Sequence, residues 1–316
     1  MLSVALFAYA AALTGLARLL PGRGWTSRAP RLAIVIWQCL TASVVAAVVS
    51  GGLALLVPSV HFHADLAELL RACMVALQAR YATPVGTVAG VAGAVLAAAV
   101  MLRVGAALLV TLIATARWRR RHVAALAVLS APAGYADACV LAEDEPLVYC
   151  LPGAHRRIVV TTGALRRLSA AEVQAVLCHE RGHLRQRHHL VLAGAASLRR
   201  AFPSSRLMDT AYLEIERLVE LLADDAATRS SDRLDLAAAL LRLGDAASPG
   251  YALGATGTAA AQRVRRLIEP PRRISRVRTT AVYALAGAML ALPVAALVGP
   301  ALASGNANHC PAHLDD

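Results

Sequence analysis

Lysine is absent from the 316-residue chain, so all 32 basic residues are arginine. Aromatic residues make up only 4% and charged residues 16%, where an ordinary soluble domain carries about a quarter charged. These shortages argue against a nucleic-acid surface, which needs a basic face with aromatics between the charges. The formal net charge is still +12, but the arginines gather at the ends of apolar runs. That distribution reads as membrane orientation, so no direct nucleic-acid partner is expected. Six cysteines, at 39, 73, 139, 150, 178 and 310, show neither zinc-ribbon nor redox spacing.

What is abundant is apolar sequence: 58% of residues are hydrophobic and the mean hydropathy is +0.55. Four runs stand out, Leu2–Ala17, Leu32–Val57, Val85–Ala116 (broken only by Arg103) and Thr279–Ala303, the last with a kink expected at Pro293. A span needs about 20 apolar residues for about 30 Å of hydrocarbon, so four transmembrane helices in a lipid bilayer are expected. Arginines cluster at 18–31, 117–121 and 272–278, whereas the connection between the second and third runs carries only Arg71 and Arg80. The positive-inside bias then puts both termini outside a bacterial-type plasma membrane and the segment between the third and fourth spans in the cytoplasm. The expected organisation is three spans in 1–116, a cytoplasmic domain in 117–278, a fourth span in 279–303 and a short outside tail in 304–316.

Smaller expectations attach to this layout. Gly86-x-x-x-Gly90, continued by Ala94 and Ala98, offers a close helix-packing face, within the monomer or in a homodimer. Leu66, Leu69, Leu70, Cys73 and Leu77 give the outside loop an amphipathic helical pattern. Cys73 and Cys310 are the two cysteines expected outside, where a disulfide could persist. His61, His63, His309 and His313 complete no defined metal spacing there.

The cytoplasmic segment reads as α+β. Ala138–Leu141, Leu147–Leu151 and Arg157–Thr161 are strand-like, and the turn chemistry between them predicts a small antiparallel sheet. Ser169 and Glu172 form a capping box with Leu168 and Val173 as its staple, so a helix starts near Ala170. That helix carries His179-Glu180-Arg181-Gly182-His183. Histidines four residues apart share one face and can hold one metal ion, with Glu180 as candidate general base. Val173, Val176, Leu177 and Leu184 adjoin the histidines, and Gly182 lets another element approach closely.

A hydrolytic zinc site needs a third protein ligand. His188, His189, Glu214, Glu216, Glu220, Asp224 and Asp225 follow the motif. His188 and His189 are expected to continue the same helix, which would carry His189 more than a turn beyond His183. A second helix over Tyr212–Arg229 places Glu220 and Asp224 together at i, i+4, one for the metal and one to orient a ligand histidine.

His179-Glu180-x-x-His183 with Glu220-x-x-Ala223-Asp224 resembles the gluzincin pattern of the BlaR/MecR-type membrane-bound metallopeptidases, which are similar to HtpX and CAAX-type peptidases. The resemblance extends through Ile158–Leu165, the helix start at Leu168–Glu172 and Arg263-Val264-Arg265-Arg266-Leu267, roughly residues 139–270. It implies a membrane protein, mainly α, with an α+β gluzincin-like domain between spans three and four. It implies one Zn2+ per chain on His179, His183 and Glu220, with Glu180 as base and Asp224 orienting a ligand. It implies that Arg263 or Arg266 helps shape the substrate site. The implied substrate is a cytosolic repressor of the BlaI/MecI type, making the enzyme an antirepressor in signal transduction. Alternatives are HtpX-like quality control of membrane proteins, or a non-catalytic receptor or scaffold. Two departures stand out: family members often carry an acid where His188 stands, and the chain stops 13 residues after Ala303, without room for a penicillin-sensor domain.

Overall fold

The apolar runs fold as helices. The computed structural model describes residues 1–22, 24–56, 83–132, 137–153, 157–244, 256–269 and 275–306. The expected outside-loop helix, the Cys73–Cys310 bridge and His61, His63, His309 and His313 lie outside the described residues. The chain begins with α1 (Leu2–Ala17), the short α2 (Gly24–Arg28), α3 (Pro30–Leu56) and α4 (Pro84–Leu129). Among the described residues, α3, α4 and the C-terminal helix Arg276–Asn306 are long and apolar enough to cross a membrane. The first expected span, α1, is an apolar helix of 16 residues, fewer than the about 20 that a bilayer core needs.

Two compact units divide the chain: Met1–Pro21, Val35–Ala106 and Thr280–Asp316 in one, Gly22–Ile34 and Ala107–Thr279 in the other. In the first unit, Pro293 lacks an amide hydrogen, so the Met289 carbonyl four residues earlier loses its helical donor. Two hydroxyls replace it: Tyr9 Oη donates to that carbonyl at 2.8 Å and Ser43 Oγ at 2.6 Å. Backbone contact in this unit falls at Gly52 of α3 and Gly93 of α4, where a Cβ at either position would strike the other's carbonyl oxygen. The packing face of α4 is therefore Gly90, Gly93 and Ala97, all buried, while Ala98 is exposed. It is rotated from the expected Gly86, Gly90, Ala94 and Ala98 because the closest approach demands glycine on both helices at one level.

The second unit opens its sheet with β1 (Ser130–Pro132), followed by β2 (Ala138–Leu141), β3 (Val148–Leu151) and β4 (Arg157–Thr161). The order is β1-β2-β4-β3. The expected all-antiparallel sheet is corrected here: β4 pairs antiparallel with β3 but parallel with β2. Burial supplies the reason. Ile158 and Val160 face one apolar cluster and Val159 faces another, with Leu126 of α4. A strand covered on both faces takes the interior position, and the less buried β2 and β3 flank it.

After β4 come α5 (Thr162–Arg167), α6 (Ala170–Arg185), α7 (His188–Ala201), α8 (Arg206–Ala227), α9 (Arg233–Gly244), α10 (Thr256–Ile268) and α11 (Arg276–Asn306). The capping box is present: Ser169 Oγ accepts from the Glu172 amide, and Glu172 accepts from the Ser169 amide at 2.7 Å. Such a cap is worth about 1 kcal/mol. The apolar arc of α6 joins Ile158, Val160, Leu236 and Leu267 in the core. Residues 22–34 pack with this unit: Arg217 of α8 donates to Thr26 and Ser27, and Arg266 of α10 to the Ser27 carbonyl.

Candidate metal centre

Helix α6 presents His179, Glu180 and His183, and the amphipathic α8 faces them with Glu220 and Asp224. Gly182 makes their approach close: a Cβ there would lie 3.0 Å from the Ala226 Cβ on α8. His179 Nε2 is 3.1 Å from His183 Nε2 and 3.4 Å from Glu220 Oε2, and Glu220 Oε1 is 3.5 Å from His183 Nε2. Among the described residues these three side chains form the one grouping that could hold a metal ion. Donors about 2.0–2.1 Å from a tetrahedral zinc are separated by about 3.3 Å, so the spacing fits zinc.

The remaining groups fix those donors. His179 Nδ1 lies 3.0 Å from Asp224 Oδ1, and Asp224 is 1% exposed. Arg263 of α10 grips Asp224 with two bonds, 2.9 and 2.7 Å, and reaches Glu220 Oε2 at 3.0 Å. Arg266, three residues on, faces elsewhere and pairs with both oxygens of Asp225. The structure thus brings Arg263 to the centre and leaves Arg266 to anchor α10.

Electrostatics point the same way. Glu180, Glu220 and Asp224 converge on the centre beside the Arg263 guanidinium. Burial opposes ionisation of Asp224, but bonds from Arg263 and His179 outweigh it and hold the carboxyl at about 2. Glu220 is likewise held at about 2, with the His179 bond and the Arg263 charge overcoming burial. Burial also works against a proton on His179, yet the Asp224 and Glu220 carboxylates lift it to about 9. His183 goes the other way: burial, aided by the charge on His179, drops it to about 4 and leaves it neutral, as a ligand must be. Burial raises the Glu180 carboxyl above the usual range, toward a base able to take and release a proton.

Several contacts lay beyond sequence reasoning. Cys150 on β3 stands near Glu180, and burial together with the carboxylate's charge pushes its thiol up, a long-range proximity with no spacing signal. Arg181 makes two 2.7 Å bonds to Asp137. Cys178 packs beside the core with Ser230 Oγ 3.4 Å from its sulfur. The expectation that His188 continues the motif helix is overturned: α6 ends at Arg185, and Arg187 adopts a left-handed conformation with φ 52°. That break turns the chain so that His188 Nδ1 meets His183 Nδ1 at 3.1 Å.

Residues 114–270 match the model of peptidase family M48. No curated protein and no solved structure matches the chain.

Proposed function

We propose, taking residues 114–270 as a domain of the membrane-associated zinc metallopeptidase family M48, that this domain hydrolyses peptide bonds with Glu180 as general base. The observation that carries the reading is the convergence of His179, His183 and Glu220 donors beside Glu180. When bound, zinc supplies Lewis acidity toward the scissile carbonyl and lowers the pKa of water to about 7. His179, His183 and Glu220 would hold it. Glu180 takes the proton of the attacking water as its oxygen bonds to the carbonyl carbon, then delivers that proton to the amide nitrogen as the C–N bond breaks. Asp224 keeps the His179 ring turned so that Nε2 points inward. Arg263 orients the Glu220 and Asp224 carboxylates of α8.

The domain works at the cytoplasmic face on this reading, because the arginine clusters at 18–31, 117–121 and 272–278 favour that orientation. The substrate reading that the motif resemblance supports is a BlaI/MecI-type repressor, whose cleavage would relieve repression. A proteome comparison of wild type and Glu180→Ala in the native host tests it. Specific accumulation of one DNA-binding protein in the variant supports the repressor. Accumulation of several misfolded membrane proteins would replace it with quality control, and intact signalling in the variant with a non-catalytic role.

A further inference from the structure

His188 is not one of the three metal donors, yet its place is closely defined. It begins α7, directly after the left-handed Arg187, and is 2% exposed. A non-glycine residue with positive φ is uncommon and is retained where surrounding structure requires it. What the turn accomplishes is one contact: His188 Nδ1 lies 3.1 Å from His183 Nδ1, with the two rings nearly perpendicular at 89°. The other nitrogen of His183, Nε2, faces His179 and Glu220.

A neutral imidazole has one N–H and one acceptor nitrogen. For His183 to offer the lone pair of Nε2 inward, its hydrogen must sit on Nδ1. That hydrogen needs an acceptor, and Nδ1 of His188, with its own hydrogen on Nε2, is the atom in place. The opposite arrangement, with His188 donating, would put the hydrogen of His183 on Nε2 and block it as a ligand.

We infer that His188 is a positioning residue for the metal centre, whose Nδ1 accepts from His183 and fixes both the tautomer and the ring orientation of that ligand. The inference rests on the proposed zinc reading of the site. Thus His179 and His183 are each held from behind, the first by the Asp224 carboxylate and the second by a neutral imidazole. Partners of this kind typically set metal affinity by about 10–100-fold.

The test uses the full chain in detergent micelles, with zinc affinity measured by competition against a chromophoric chelator. His188→Asn places a carbonyl oxygen where Nδ1 stood, His188→Gln extends its amide to the Nε2 position, and His188→Leu removes the acceptor. Far-UV circular dichroism and thermal melting verify folding. Expected is a loss of about 10–100-fold for Leu and Gln, with Asn within about threefold of wild type. Cobalt-loaded protein gives a second readout, the d–d spectrum shifting in Leu and Gln but not in Asn. Wild-type affinity in folded His188→Leu overturns the inference, as does equal weakening in Asn and Gln, which would mark a packing role. Should Leu fail to fold, the Asn–Gln contrast decides. Absence of zinc binding by the wild type refutes the metal-centre reading itself, and with it this inference.

Discussion

Asp224→Asn separates charge from shape at the centre. The side chain is 1% exposed, accepts two bonds from Arg263 and stands 3.0 Å from His179 Nδ1. The amide keeps the volume and one acceptor but removes the charge that balances a buried guanidinium. Breaking a buried ion pair from one side costs about 3–5 kcal/mol. Glu220 remains 3.0 Å from Arg263, so a loss near the lower figure, about 3 kcal/mol, is expected at pH 7. The pH dependence has a definite sign. The folded-state pKa of Asp224 is depressed to about 2, below that of an unfolded aspartate, so its contribution is complete above the unfolded value and is lost as pH falls through about 2. The difference between the two values corresponds to about 2 kcal/mol. Denaturant unfolding of metal-free wild type and variant from pH 7 to pH 2 should therefore show a gap of about 3 kcal/mol that narrows by about 2 kcal/mol below pH 4. A gap absent at pH 7, or unchanged down to pH 2, would refute the charge argument.

Other perturbations probe the scaffold. Gly182→Val puts a branched side chain where a Cβ already lies 3.0 Å from Ala226; it should lower the unfolding free energy by about 1–3 kcal/mol and weaken zinc binding, as read by melting and chelator competition. Ser169→Ala removes the capping acceptor at the start of the motif helix, and denaturant unfolding should record about 1 kcal/mol lost with zinc stoichiometry unchanged. Tyr9→Phe with Ser43→Ala strips both donors from the Met289 carbonyl, and thermal unfolding in micelles should show about 1–3 kcal/mol of destabilisation, more than either single change.

The parts legible in sequence are those fixed by local chemistry. The Ser169 cap, the i, i+4 histidines and the i, i+4 pair Glu220 and Asp224 depend on helix periodicity alone, and each lies where that periodicity puts it. The illegible parts depend on long-range pairing. Nothing in β2, β3 or β4 announces that β4 separates the other two, because the order follows from which strand is covered on both faces. Arg187 carries no glycine or asparagine signal for its left-handed turn, so the return of His188 to His183 is invisible from spacing. Arg263 and Arg266 are chemically alike, and only the docking of α10 assigns the first to Asp224 and the second to Asp225. The docking of residues 22–34 beside α8 has the same origin, in single hydrogen bonds from Arg217 and Arg266 to distant residues.

The central claim is a zinc centre in which Glu180 does the proton transfer and His179, His183 and Glu220 do the binding. The direct measurement is paired zinc analysis and peptide cleavage on purified wild type, Glu180→Ala and His183→Ala. The account predicts one zinc per chain and cleavage for wild type, one zinc and no cleavage for Glu180→Ala, and loss of both for His183→Ala. Cleavage by Glu180→Ala at the wild-type rate, or wild-type protein that binds no zinc, would contradict it.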